Sequence, residues 1–217
     1  MGRAQLLMRM FDFMHQSLGP SNWWPADSPF EVAVGAILTQ NTNWGNVTKA
    51  IDALKVAGAL DEQRLDSFSQ EELEVLIRPC GYYRQKARRL LNFMAFLHEY
   101  ADGSITRLAG QDMDSLRKAL LSVNGIGPET ADSILCYALE KPVLVVDAYT
   151  ARIFNRHGLV EPDVDYHALQ SYIMDVLPQD VSLFNEYHAL LVRVGNAWCR
   201  RKAGWCESCP LQPLLES

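Results

Sequence analysis

The chain has 217 residues, 48% of them hydrophobic and 21% charged, enough to bury a core without staples and too apolar for a long disordered tail. A formal net charge of −6 excludes a protein that coats nucleic acid through bulk positive charge, so any DNA contact must be local. The longest apolar runs, such as 143–146 and 93–97, are too short for a bilayer and the N-terminus carries no apolar signal segment, so a cytoplasmic protein without membrane contact is expected.

Apolar residues recur at spacings of three and four with no sustained alternation, which predicts an all-α chain. Asp27 and Ser28 before Pro29 supply a cap and a first-turn proline for a buried helix through Val32, Ala33, Ile37 and Leu38. Polar Gln40, Asn41 and Thr42 end it. Helices are then expected over 44–55 and 70–77, the latter stopped by Pro79 and Gly81, and over 84–100 with Ala87, Leu90, Leu91, Met94 and Leu97 inward. Further helices are expected over 113–122, 129–139, 148–156, 166–177 and 183–197. Two basic stretches, Arg84, Lys86, Arg88, Arg89 and Arg193, Arg200, Arg201, Lys202, are either local phosphate contacts or solvated helix faces.

Between the helices at 113–122 and 129–139 lies Val123-Asn124-Gly125-Ile126-Gly127-Pro128-Glu129-Thr130-Ala131, a helix, tight turn and helix. Gly125 and Gly127 permit positive φ and leave amides uncovered, and Pro128 fixes the next helix's first turn. Amides at such a turn grip phosphate without side-chain charge, a mode open to an acidic protein. Gly125, Ile126, Gly127 and Thr130 are therefore candidate DNA-binding residues, and an ordinary connection is the alternative.

With this hairpin, Pro29-Phe30-Glu31 leading to Gln40, the segment Gly81-Tyr82-Tyr83-Arg84-Gln85-Lys86-Ala87, Val145-Val146-Asp147 and three C-terminal cysteines, nearly the whole chain resembles the helix-hairpin-helix DNA glycosylases typified by endonuclease III. The resemblance implies two lobes, a helical barrel over 27–135 and a second lobe from 1–26 with 136–217 carrying the cysteine loop. It also implies a base excision repair enzyme, a monomer acting on damaged double-stranded DNA.

Read from the residues alone, Asp147 is an N-cap for the helix at 148–156. The resemblance makes it the catalytic carboxylate, which faces the flipped nucleotide, stabilises an oxocarbenium-like sugar and helps to direct water to it. Bifunctional members carry a lysine in the hairpin that attacks the sugar; the matching residue here is Glu129, which cannot form an imine. A monofunctional hydrolase is implied, with a lyase using Lys86 or Lys49 as a rival, and a catalytically silent DNA-binding module as another.

Trp23-Trp24-Pro25, Leu38-Thr39-Gln40-Asn41-Thr42 with Trp44, and the glutamate in the hairpin resemble the 3-methyladenine glycosylase branch. That branch implies a pocket of Trp23, Trp24, Pro25, Gln40, Trp44 and Glu129 for an alkylated purine, with Trp24 and Trp44 against the base and Gln40 near the pocket or filling the gap in the duplex. Tryptophans in ordinary packing, and oxidised pyrimidines as substrates, are the alternatives.

Cys199, Cys206 and Cys209 match the first three cysteines of the endonuclease III loop that holds a four-iron four-sulfur cluster, while Leu215 stands where the fourth would be. The cluster is the expected cofactor, with zinc or no metal as alternatives. Cys80 and Cys136 read as small core residues, and His188 is the one histidine weighed as a spare ligand.

Overall fold

The computed structural model describes residues 1–215. Its ten α-helices are α1 (Arg3–Leu18), α2 (Pro29–Thr39), α3 (Trp44–Val56), α4 (Gln70–Leu76), α5 (Tyr83–Ala101), α6 (Met113–Ser122), α7 (Pro128–Ser133), α8 (Ala148–Arg156), α9 (Tyr166–Met174) and α10 (Val181–Ala197). The described residues hold no strand, only an isolated bridge between Cys199 and Gly204, so the protein is all-α. None of the described helices is long and apolar enough to cross a membrane. The chain divides into two compact units, Ala26–Lys141 and Met1–Pro25 with Pro142–Ser217.

In the unit Ala26–Lys141, α2 is the axis. Every residue from Phe30 to Leu38 is buried, and the helix packs on α3, α5, α7 and the turn after α7. Full burial of side chains such as Ile37 and Leu38 contributes about 1.5–3 kcal/mol each. Its start is fixed by local polar chemistry. Ser28 Oγ accepts from Glu31 N at 3.2 Å, and Lys55 Nζ on α3 bridges Asp27 Oδ2 at 2.6 Å and Glu31 Oε1 at 2.8 Å. Its end is held by Lys86, 1% exposed, whose Nζ donates to Leu38 O at 2.9 Å and Cys80 O at 2.8 Å. Burial pushes that ammonium's pKa down.

The single helix expected over 129–139 is two pieces. Ser133 Oγ bonds back to Glu129 O at 2.7 Å, α7 stops there, and a π-helical turn, Ile134–Ala138, carries the chain onward with Leu139 N reaching Ile134 O.

The other unit packs Leu7, Met10 and Met14 of α1 against Ile153 and Phe154 of α8, Leu169 and Ile173 of α9, and Phe184, Tyr187, Leu190, Leu191 and Val194 of α10. Tyr187 has its hydroxyl satisfied by Leu7 O at 3.1 Å. Asp147, Asp165 and Asp180 cap α8, α9 and α10, accepting from Thr150, Ala168 and Leu183 amides at 2.8, 2.9 and 2.7 Å. Each such cap is worth about 1 kcal/mol. Helices α8 and α10 approach closely at Gly195, where a Cβ would overlap Tyr149, and Tyr149 Oη donates to Asn196 Oδ1 at 2.7 Å.

Candidate active site

The glycine turn joins α6 to α7 and is braced from two sides within its own unit. Gly125 has φ +96° and lies so close under Arg89 that a Cβ would overlap that side chain. Arg89 Nη1 donates to Gln40 Oε1, and Gln40 Nε2 donates in turn to Gly125 O at 3.0 Å and Thr130 Oγ1 at 2.9 Å. Arg117 of α6 makes a bidentate pair with Asp132 of α7, at 2.6 and 3.0 Å, with the Asp132 side chain wholly buried. Ile126 is 5% exposed, so its side chain belongs to the core and only its backbone is presented to a partner. Gly127, the exposed N-cap of α7, places no side-chain cap on the first-turn amides.

Gln40 is thus tied to the hairpin through its amide Nε2 and to α5 through its Oε1. The basic stretches divide in a way that spacing does not reveal. Lys86 is buried on two carbonyls, which also removes it as a nucleophile, and Arg89 is committed to Gln40. Arg193 donates to the carbonyls of Leu18 and Gly19 at the end of α1. Arg84, Arg88, Arg200, Arg201 and Lys202 are exposed.

Asp147 closes the buried extended run Val143–Val146 and opens α8. Its Oδ1 accepts from Thr150 N at 2.8 Å and Thr150 Oγ1 at 2.9 Å. Its Oδ2 faces His188 Nε2 at 3.6 Å, and the two side chains are 11% and 10% exposed. Burial pushes the carboxyl's pKa up, but the neighbouring His188 ring, with the Thr150 donors, outweighs it and holds Asp147 below the ordinary carboxylate range. His188 therefore stands beside Asp147 on α10, not among the cysteines, and its reading as a spare metal ligand is corrected.

Trp23 and Trp24 follow α1 with ring centroids 4.9 Å apart and tilted by 49°. Both are half-buried, and Pro25 is exposed. The segment is anchored by Ser21, whose N and Oγ donate to Glu186 of α10 at 2.8 and 2.6 Å. Trp44, partly buried, is the first residue of α3, whose cap is Asn43; Glu129 is exposed in the first turn of α7.

Cys199, Cys206 and Cys209 line one cleft together with Arg156, His157 and Leu215. Two arginines of α8 hold this loop. Arg152 Nε donates to Cys199 O at 2.7 Å, and Arg156 Nη1 lies 3.2 Å from Cys199 Sγ and 2.9 Å from Arg200 O. Burial pushes the Cys209 thiol up against a lowering contact with the Leu211 amide, and the neighbouring Cys199 and Cys206 raise it further. The three cysteines thus line one cleft, and the apolar side chain of Leu215 lines it with them. Among the described residues no three His, Cys, Asp or Glu side chains form a group placed to hold a metal ion. Cys80 and Cys136 are core residues at 1% exposure each.

Residues 34–179 match the HhH-GPD superfamily base excision DNA repair protein family. The chain is 42% identical over 217 residues, 99% of its length and 98% of the relative's, to the Methanocaldococcus jannaschii protein named "Putative DNA repair glycosylase MJ1434". It is 33% identical over 191 residues to the endonuclease III of Thermotoga maritima, covering 87% of this chain and 83% of that one. Among solved structures, the H. pylori 3-methyladenine DNA glycosylase MagIII bound to 1,N6-ethenoadenine superposes with a TM-score of 0.78 at 27% identity, covering 90% of this chain and 98% of that one. A trapped endonuclease III–DNA covalent intermediate shares the fold, with a TM-score of 0.83 at 24% identity and coverage of 99% and 96%. The chain belongs to the HhH-GPD superfamily of base excision DNA repair proteins and is a DNA N-glycosylase.

Proposed function

We propose that the protein hydrolyses the N-glycosidic bond of alkylated purines such as 3-methyladenine, with Asp147 as its catalytic carboxylate and without strand cleavage. The observation that carries the reading is the setting of Asp147, a largely buried carboxylate whose Oδ1 is bound by Thr150 and whose Oδ2 faces His188. A fixed negative charge in a water-poor site stabilises a sugar that becomes cationic as its bond to the base breaks. Water then adds to the sugar carbon and loses a proton, and the base leaves with the bonding electron pair. An alkylated purine carries a positive charge, so it departs neutral and needs no acid; the same charge suits the indole faces of Trp23, Trp24 and Trp44.

In this reading the backbone of Gly125, Ile126 and Gly127 and the Thr130 end of the turn grip phosphate, and Gln40, through Gly125 and Thr130, keeps that turn in shape. Glu129 stands where a lyase places its lysine, and Lys86 is locked on carbonyls, which supports hydrolysis alone. The likeness to MagIII supports the alkylpurine class. The greater identity to an endonuclease III favours the second reading, a glycosylase and lyase for oxidised pyrimidines. Chromatography of bases released from methylated and thymine-glycol duplexes separates the two. Release of 3-methyladenine with no borohydride-trapped protein is expected; thymine glycol release with efficient trapping would replace the first reading by the second.

Cys199, Cys206 and Cys209 line one cleft, with Arg156 beside Cys199 Sγ to balance thiolate charge, and three such thiolates would hold a four-iron four-sulfur cluster. Bound there, such a cluster would staple the loop 199–209 to α8 rather than take part in base release. Protein purified without oxygen is expected to carry about three to four iron atoms per chain, and Cys206→Ser to lose them. One zinc per chain and no iron would instead favour the mononuclear alternative.

A further inference from the structure

The two oxygens of Asp147 are not equivalent. Oδ1 is saturated by two donors from Thr150, one of them the amide that Asp147 caps, whereas Oδ2 is turned toward His188 Nε2 at 3.6 Å. A carboxylate that meets a sugar must do so with its less occupied oxygen. The group that sets where this oxygen points is then the imidazole of α10. The spacing between the two is set by rigid packing, because α8 and α10 close on each other at Gly195 and are tied by Tyr149 to Asn196. A separation of 3.6 Å is slightly long for a hydrogen bond, as is common before substrate binds, and shortening by a few tenths of an ångström completes it.

We propose that His188 is a positioning residue for base excision, its Nε2 fixing Asp147 Oδ2 in the orientation and charge with which the carboxylate meets the sugar. This rests on the reading of Asp147 as the catalytic carboxylate. The other ionisable groups on the packed elements have other engagements. Glu186 of α10 binds Ser21, Arg193 binds the end of α1, and Arg152 and Arg156 of α8 bind the cysteine loop. His15 of α1 stacks on Phe11, and Tyr187 of α10 is directed to Leu7. His188 is therefore the group on the packed elements that faces Asp147 Oδ2. Removing it leaves burial, which raises the carboxyl, opposed only by Thr150.

The experiment compares single-turnover base release by the parent, His188→Leu, His188→Gln and Asp147→Asn between pH 5 and 8, on whichever duplex the parent processes. The parent rate is expected to stay level as far as Asp147 governs it. His188→Leu should be about 10- to 100-fold slower at pH 7, with duplex affinity within about twofold of the parent, and should lose further rate as pH falls through the window. His188→Gln, which keeps a side-chain N–H donor, should recover to within about fivefold of the parent and regain the level profile. A His188→Leu profile parallel to the parent's, or equal losses in the Leu and Gln variants, overturns the proposal. If circular dichroism shows His188→Leu unfolded, His188→Met replaces it, and a folded Gln variant as inactive as Asp147→Asn also counts against it. Full activity in Asp147→Asn sinks the underlying reading instead, so the two failures are distinct.

Discussion

Asp147→Asn is expected to slow single-turnover base release by about 10²- to 10³-fold while moving the melting temperature by no more than about 2 °C. The substitution separates the two roles open to this residue. Asparagine caps helices as well as aspartate does, and its carbonyl oxygen can accept the Thr150 amide and hydroxyl that now bind Oδ1. What it lacks is the negative charge. If Asp147 were only the cap of α8, the variant would work nearly as well as the parent; a loss of less than about tenfold with an unchanged melt would show this. The sign of the pH effect follows from the same environment. A carboxyl whose folded pKa lies below its unfolded value stabilises the fold above that unfolded value, and the contribution is lost as pH falls through the folded one. The charge is thus in place throughout the neutral range, where base release has to occur.

Asp147 was legible because it interrupts an apolar run, Val143–Val146, immediately before a helical period, and Pro29 and the glycines of the hairpin were legible because backbone chemistry restricts where they fit. His188 was not. It lies far along the chain on α10, and no spacing rule links a capping carboxylate to a residue brought over it by helix packing at Gly195. Lys86 misled in the same way, since an ammonium in a basic stretch reads as solvated until two chain ends converge on it with free carbonyls at Leu38 and Cys80. Helix α1 carries Leu7, Met10 and Met14 at spacings of three and four, a signal strong enough to have bounded it directly. The π-helical turn after α7 left no trace, because widening by one residue changes the hydrogen-bond step but not the apolar character of Ile134, Leu135 and Cys136.

Arg117→Ala is expected to cost about 3 kcal/mol and lower the melting temperature by about 6–12 °C, with a parallel loss of duplex affinity. Its partner explains the size of the effect. The Asp132 side chain has no solvent exposure, while Arg117 is 20% exposed, so deleting the guanidinium takes a cationic partner from a carboxylate held in the core. The field of that carboxylate already reaches Cys136, whose thiol is pushed up to about 12 by burial first and by Asp132 second. The pair spans the glycine turn, joining α6 to α7, so its loss also frees the two helices that present the turn's amides. Asp132→Asn combined with Arg117→Leu removes both charges and should recover part of the stability, because the largest cost comes from a buried charge that has lost its counter-ion and not from the missing bond. Thermal melts and duplex binding of the single and double variants test this. A double variant as unstable as Arg117→Ala would mean that the bidentate geometry itself, rather than charge compensation, holds the hairpin.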